Sequence, residues 1–195
     1  MLRIDRKLVF LDIEATSLDV LTARPWEIGM IERWPDGRER ATLLHIRKVS
    51  LRDADPRSLE VGRFHQRHRA VPNAMVLDEH LAAEWVYRRT CEEPGLGRPL
   101  LVGSAVGTYD APIIAAMLAR AGKQVPWHHH PIDLVTWTQA HLVARGVDVS
   151  LLEHKTYELS ELAGAPRPRA DLAHTAMGDA LWARAWWDAL SEVTV

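Results

Sequence analysis

The stretch Leu8–Thr16, "LVFLDIEAT", sets two carboxylates into an otherwise apolar, β-rich run. With a strand period of two, Asp12 and Glu14 share one face and Ile13 points to the other. Like charges side by side on a buried strand repel, and each ionised form loses water. The usual remedy is a divalent cation with oxygen ligands. The same letters also fit a strand that ends at Leu11, with both acids solvated, so D-x-E alone leaves the reading open.

Outward from this strand, "WEIGMIERW" (26–34), "PDG" and "RERATLLHI" (38–46) read as two strands around a tight turn, completing an antiparallel meander. The spacing predicts a helix within 73–93, capped by Asn73, with Val76, Leu77, Leu81, Trp85 and Val86 on its apolar face. "PLLVGSAV" (99–106) is a further short strand before a helix in 109–126. "PIDLVTWTQAHLVARG" (131–146) repeats the strand-to-helix pattern, 157–165 forms a short helix, and a last helix runs from about His174 to Leu190. The expected fold class is α/β: a central mixed sheet of about five strands, antiparallel meander first and parallel strands after, with helices on both faces. Ligands of such sheets gather at the carboxyl ends of the parallel strands.

At 195 residues and 47% hydrophobic, the chain suits a single domain, 1–195. A net charge of −2 provides no global positive field for nucleic acid or membrane, so any phosphate-binding surface must be local. Cys91 is the only cysteine, which excludes intrachain disulfides and zinc–thiolate clusters and suggests a reducing compartment. The N-terminal apolar run is short and broken by Asp12, so neither a signal peptide nor a membrane span is expected, and the expected location is cytoplasmic.

Two more acids stand at chemically suggestive places. Asp110 lies between a strand and a helix, where it could equally cap the helix. Asp179 lies five residues after His174 at the start of the last helix, where a solvated acid and a histidine satisfying the first turn are the plain alternatives. In combination the pattern is specific. D-x-E on the first strand, Asp at a strand-to-helix junction and H-x-x-x-x-D opening the last helix resemble the DEDDh family of 3′ to 5′ exonucleases, of RNase H-like fold. That family includes proofreading exonuclease subunits of bacterial replicative polymerases, RNase T and oligoribonuclease. The resemblance extends over nearly the whole chain, through "VFLDIEATSLD", "LVGSAVGTYDAPIIAAML" and "HTAMGDAL". One departure stands out: Ala105 and Val106 occupy the places where the second motif commonly carries His-Asn, which puts substrate orientation or rate in doubt.

The resemblance implies that Asp12, Glu14, Asp110 and Asp179 hold two Mg²⁺ or Mn²⁺ ions about 4 Å apart, and that His174 is the general base. The implied activity is release of nucleoside 5′-monophosphates from 3′ ends of single-stranded DNA or RNA. Thr16 and Leu18 would contact the terminal nucleotide, Leu18 as an apolar wedge. Arg167 and Arg169 in "RPRAD", just before His174, form a basic loop suited to holding a phosphate, and a merely solubilising loop explains them as well. "PRSLEVGRFHQRHRA" (56–70) interleaves arginines with Phe64, His65 and His68, a mixture suited to a single strand, with His65 as a stacking candidate; a solvated helix explains it as well. A nucleic-acid-binding or polymerase-associated module with weak catalysis and a phosphodiesterase for short oligonucleotides are the competing readings. Family precedent allows either a polymerase partner or a homodimer. "WHHHP" (127–131) is expected to be a surface loop, since three consecutive histidines should not converge on one ion. Trp182 and Trp186 are expected in the core and Trp187 exposed or at a partner contact.

Overall fold

The computed structural model describes residues 4–70, 72–148 and 155–192. Its strands are β1 (Leu8–Ala15), β2 (Pro25–Arg33), β3 (Glu39–Ile46), β4 (Met75–Leu77), β5 (Leu100–Gly103) and β6 (Ile132–Asp133). They form one six-stranded sheet in the order β4-β3-β2-β1-β5-β6. β1, β2 and β3 pair antiparallel, whereas β5 joins β1, β6 joins β5 and β4 joins β3 in parallel. This is the RNase H-like arrangement, with six strands where about five were expected.

The extra strand replaces the start of the expected helix. Met75–Leu77 pairs with Leu44–Ile46 at the sheet edge, whose backbone groups would otherwise lack partners. Asn73 sits at φ 64° and caps nothing; the helix, α3 (Glu79–Thr90), begins after Asp78. The remaining helices are α1 (Pro56–Val61), α2 (Phe64–Arg67), α4 (Asp110–Arg120), α5 (Leu134–Ala144), α6 (Thr156–Leu162) and α7 (Ala176–Glu192). Among the described residues no helix is long and apolar enough to cross a membrane.

Alternation along β1 divides the core in two. Val9, Leu11 and Ile13 face α3 and α4, where Ala82, Val86, Ile113, Ile114 and Met117 are buried. Leu8 and Phe10 face the layer built from Leu134, Leu142, Leu159, Trp182, Trp186, Trp187 and Leu190. Trp187 is therefore a core residue, packed edge-on against Phe10 and Trp137, because α7 is apolar around more of its circumference than one face. Asp12 and Glu14 continue the Leu8–Phe10 face, so β1 leads from the apolar layer under α7 to the two acids near the start of that helix.

Gly29 brings α7 there. It pairs with Asp12 across the sheet, and a Cβ at this position would lie 2.2 Å from the Ala176 carbonyl oxygen. Only a residue without a side chain lets the first turn of α7 touch β2.

Candidate active site

Strand pairing explains one acid. β1 pairs with β5 only from Leu8 to Phe10, so the Ile13 N–H has no strand partner on that side. Asp110 supplies one: its Oδ1 accepts the Ile13 N–H at 3.0 Å. Asp110 is thus the first residue of α4 with its carboxylate turned across to β1, rather than a cap on its own helix.

Asp12, Glu14 and Asp179 each present a carboxylate oxygen within 4.8 Å of the others. Asp179 Oδ2 accepts the His174 N–H at 3.1 Å, while its Oδ1 is buried without a hydrogen-bond partner among the described residues. Burial is the first cause of raised proton affinity throughout the cluster. Asp12 is pushed well above the usual carboxylate range by burial, then by Asp110, Asp179, Glu14 and Glu27. Glu14 rises to about 8 through burial and then Glu27, with Arg67 opposing. Asp110 rises to about 7 through burial, opposed by the Ile13 hydrogen bond, and Asp179 to about 6 through burial, opposed by His174. Asp12, Glu14 and Asp179, with one orphaned oxygen among them and Asp110 beside them, offer the all-oxygen donors that a hard divalent cation takes.

Two cavities meet at this cluster. One, of about 590 Å³, is walled by Leu18, Val61, Tyr109 and Ala105; the other, of about 440 Å³, by Lys155, Tyr157, Arg167 and Trp182. Asp12, Asp179, His174 and Ser104 border both. His174 does not begin the last helix: it precedes Ala176, with a left-handed backbone at φ 55°.

The other expected contacts divide. Leu18, 74% exposed, stands on the first cavity, and Arg167 lines the second while pairing with Glu161. Thr16 is only 1% exposed; its hydroxyl accepts the Arg24 N–H at 2.9 Å and so closes the loop after β1 instead of facing a cavity. Arg169, with its side chain 78% exposed, pairs with Asp171, and His65 packs against Phe64 outside both cavities. His128, His129 and His130 form the expected exposed loop, yet their ring nitrogens lie within 4.8 Å of one another, because the chain bends sharply there.

Glu27, which the sequence reading did not single out, binds Arg67 beside Glu14, so that Arg67, one of the arginines of 56–70 expected to neutralise phosphate, is turned inward instead. The signal for Glu27 is an acid inside the apolar "WEIGMI"; Arg67 has no comparable signal among its neighbouring arginines.

No protein-family model matches this chain, and neither does any curated protein. Solved structures do. Exonuclease I superposes with a TM-score of 0.70 at 16% identity, over 95% of this chain and 41% of its own. The zinc-bound form of the E. coli exonuclease I–ssDNA complex gives 0.64 at 16%, over 95% and 40%. E. coli exonuclease I with a dA16 oligonucleotide gives 0.65 at 15%, over 95% and 41%. The chain therefore shares their fold and spans about two fifths of their length.

Proposed function

We propose that this chain is a divalent-metal-dependent 3′ to 5′ exonuclease domain, residues 1–195, acting on single-stranded DNA or RNA ends. The convergence of Asp12, Glu14 and Asp179 on one point, with Asp110 beside them and His174 at the junction of two cavities, carries this reading. The single-stranded DNA bound by exonuclease I supports the substrate class.

The four carboxylates would hold two ions, Mg²⁺ or Mn²⁺, which when bound supply Lewis-acid stabilisation of phosphodiester oxygens. The rest belongs to the chain. Leu18 and Val61 offer an apolar wall to the terminal base, and Tyr109, fixed by its hydroxyl donating to the Ser17 carbonyl at 2.9 Å, closes the same cavity. Across the junction, Arg167 and the Tyr157 ring offer charge and a stacking face to the preceding nucleotide. His174 borders both cavities, where an imidazole takes a proton from the water that attacks the phosphorus.

The test is digestion of matched 5′-labelled single-stranded DNA, single-stranded RNA and duplex oligomers with Mg²⁺ or Mn²⁺, with and without EDTA. Stepwise shortening from the 3′ end, abolished by EDTA and by Asp12→Asn, is expected. Absence of mononucleotide release from every substrate would overturn the assignment.

A further inference from the structure

The backbone on either side of His174 is held from outside its own element. The Arg67 guanidinium donates through Nη1 to the Gly62 carbonyl at 2.8 Å and to the His174 carbonyl at 3.0 Å. Through Nη2 it pairs with both oxygens of Glu27, which is fully buried. Glu27 is fixed in turn by His45 Nε2 at 3.3 Å and approached by the Ala176 N–H at 3.5 Å. Arg63 Nη2 donates to the carbonyls of Asp171 and Ala173, each at 3.3 Å. Arg67 itself lies over the buried Trp26 ring, 5.4 Å from its centroid, with its side chain 12% exposed. The chain from 171 to 176 is thereby gripped at four backbone atoms by α2, the residue before it, and β2.

His174 requires such a grip. Its φ of 55° is a conformation that a residue with a Cβ avoids unless its surroundings impose it. A freed segment would relax toward ordinary backbone angles and swing the imbalance into the side chain, carrying the imidazole off the boundary of the two cavities.

We infer that Arg67, locked in place by Glu27, is a positioning residue that aims the His174 imidazole at the acid cluster. This rests on the exonuclease reading. The planar fork matters as much as the charge: one guanidinium reaches a carboxylate and two carbonyls at fixed angles, which a lysine ammonium on a flexible stem does not do.

The test uses the double variant E27M/R67M, which removes both members of the buried pair and leaves no lone charge, together with Arg67→Lys. Two readouts are taken: steady-state digestion of a single-stranded oligomer with Mn²⁺, and amide hydrogen exchange of the metal-free protein. For E27M/R67M, kcat is expected to fall about 100-fold with KM unchanged. Amides 172–176 are expected to exchange faster while those of β1 and β2 keep their protection. Arg67→Lys should restore only part of kcat. Parental kcat and parental exchange in a double variant that keeps its unfolding transition would overturn the inference. If the double variant does not fold, Arg67→Lys decides, and parental kcat with parental exchange overturns it. A parent inactive on every oligomer overturns the exonuclease reading instead, and the exchange of 172–176 then judges the grip by itself.

Discussion

Replacing Glu14 with glutamine should stabilise the metal-free protein, by an amount set by pH. The folded chain holds a proton on Glu14 more tightly than an unfolded chain does, since burial and Glu27 raise its pKa from 4.5 to about 8. The group's contribution to stability is therefore intact below about pH 4.5 and drains away as pH climbs toward 8. At about 1.36 kcal/mol per pH unit, the loss accumulated by pH 7 is about 3 kcal/mol. Protons shared with Asp12, Asp110 and Asp179 reduce the yield, so about 2 kcal/mol is expected from Glu14→Gln at pH 7 and about zero at pH 4.5. Urea unfolding in EDTA at the two pH values measures it, and any fixed cost of burying the amide cancels in the comparison. Adding Mn²⁺ should raise the parent's midpoint through binding to the folded state and the variant's far less. A gain of the same size at both pH values, or none at either, would refute the picture of acids crowded by burial and mutual repulsion.

Three other outcomes follow from the geometry. His174→Ala should lower kcat by about 10² to 10⁴ while Mn²⁺ still stabilises the fold; loss of the Mn²⁺ effect would give the histidine a ligand role. Gly29→Ala, whose new methyl would meet the Ala176 carbonyl at 2.2 Å, should force α7 off β2 and cost at least about 3 kcal/mol in chemical denaturation; a neutral result would mean the helix can shift freely. Leu18→Ala should leave the melting curve within about 0.5 kcal/mol of the parent, as a side chain 74% exposed requires, yet raise KM for single-stranded oligomers; unchanged KM would remove the wedge role.

How legible each part is depends on whether local chemistry or a distant partner decides it. Asp12 and Glu14 stand out because a strand that is apolar at Leu8, Val9, Phe10, Leu11 and Ile13 has no ordinary use for two acids on one face. Asp110 and Asp179 become legible through their order along the chain. Met75–Leu77 is not legible as a strand, since three apolar residues before a helix acquire that state only from the open edge of β3. Thr16 looks free on paper because hydroxyls are easily spent on local loops, here with Arg24 eight residues later. Arg67 and Arg69 are two residues apart in one basic run, and nothing local says which turns inward to Glu27. The left-handed backbone at His174 is equally hidden, because the partner of its carbonyl, Arg67, lies 107 residues away in α2.

Asp12 and Asp179 stand more than 160 residues apart in sequence and are joined only when α7 settles over Gly29. A chain still being synthesised has the first two acids long before the third, which is missing until α7 emerges. Chemistry that needs all of them thus starts only after the fold closes. The same arrangement means that a cut anywhere between β1 and α7 that lets the pieces separate leaves neither piece with all three carboxylates.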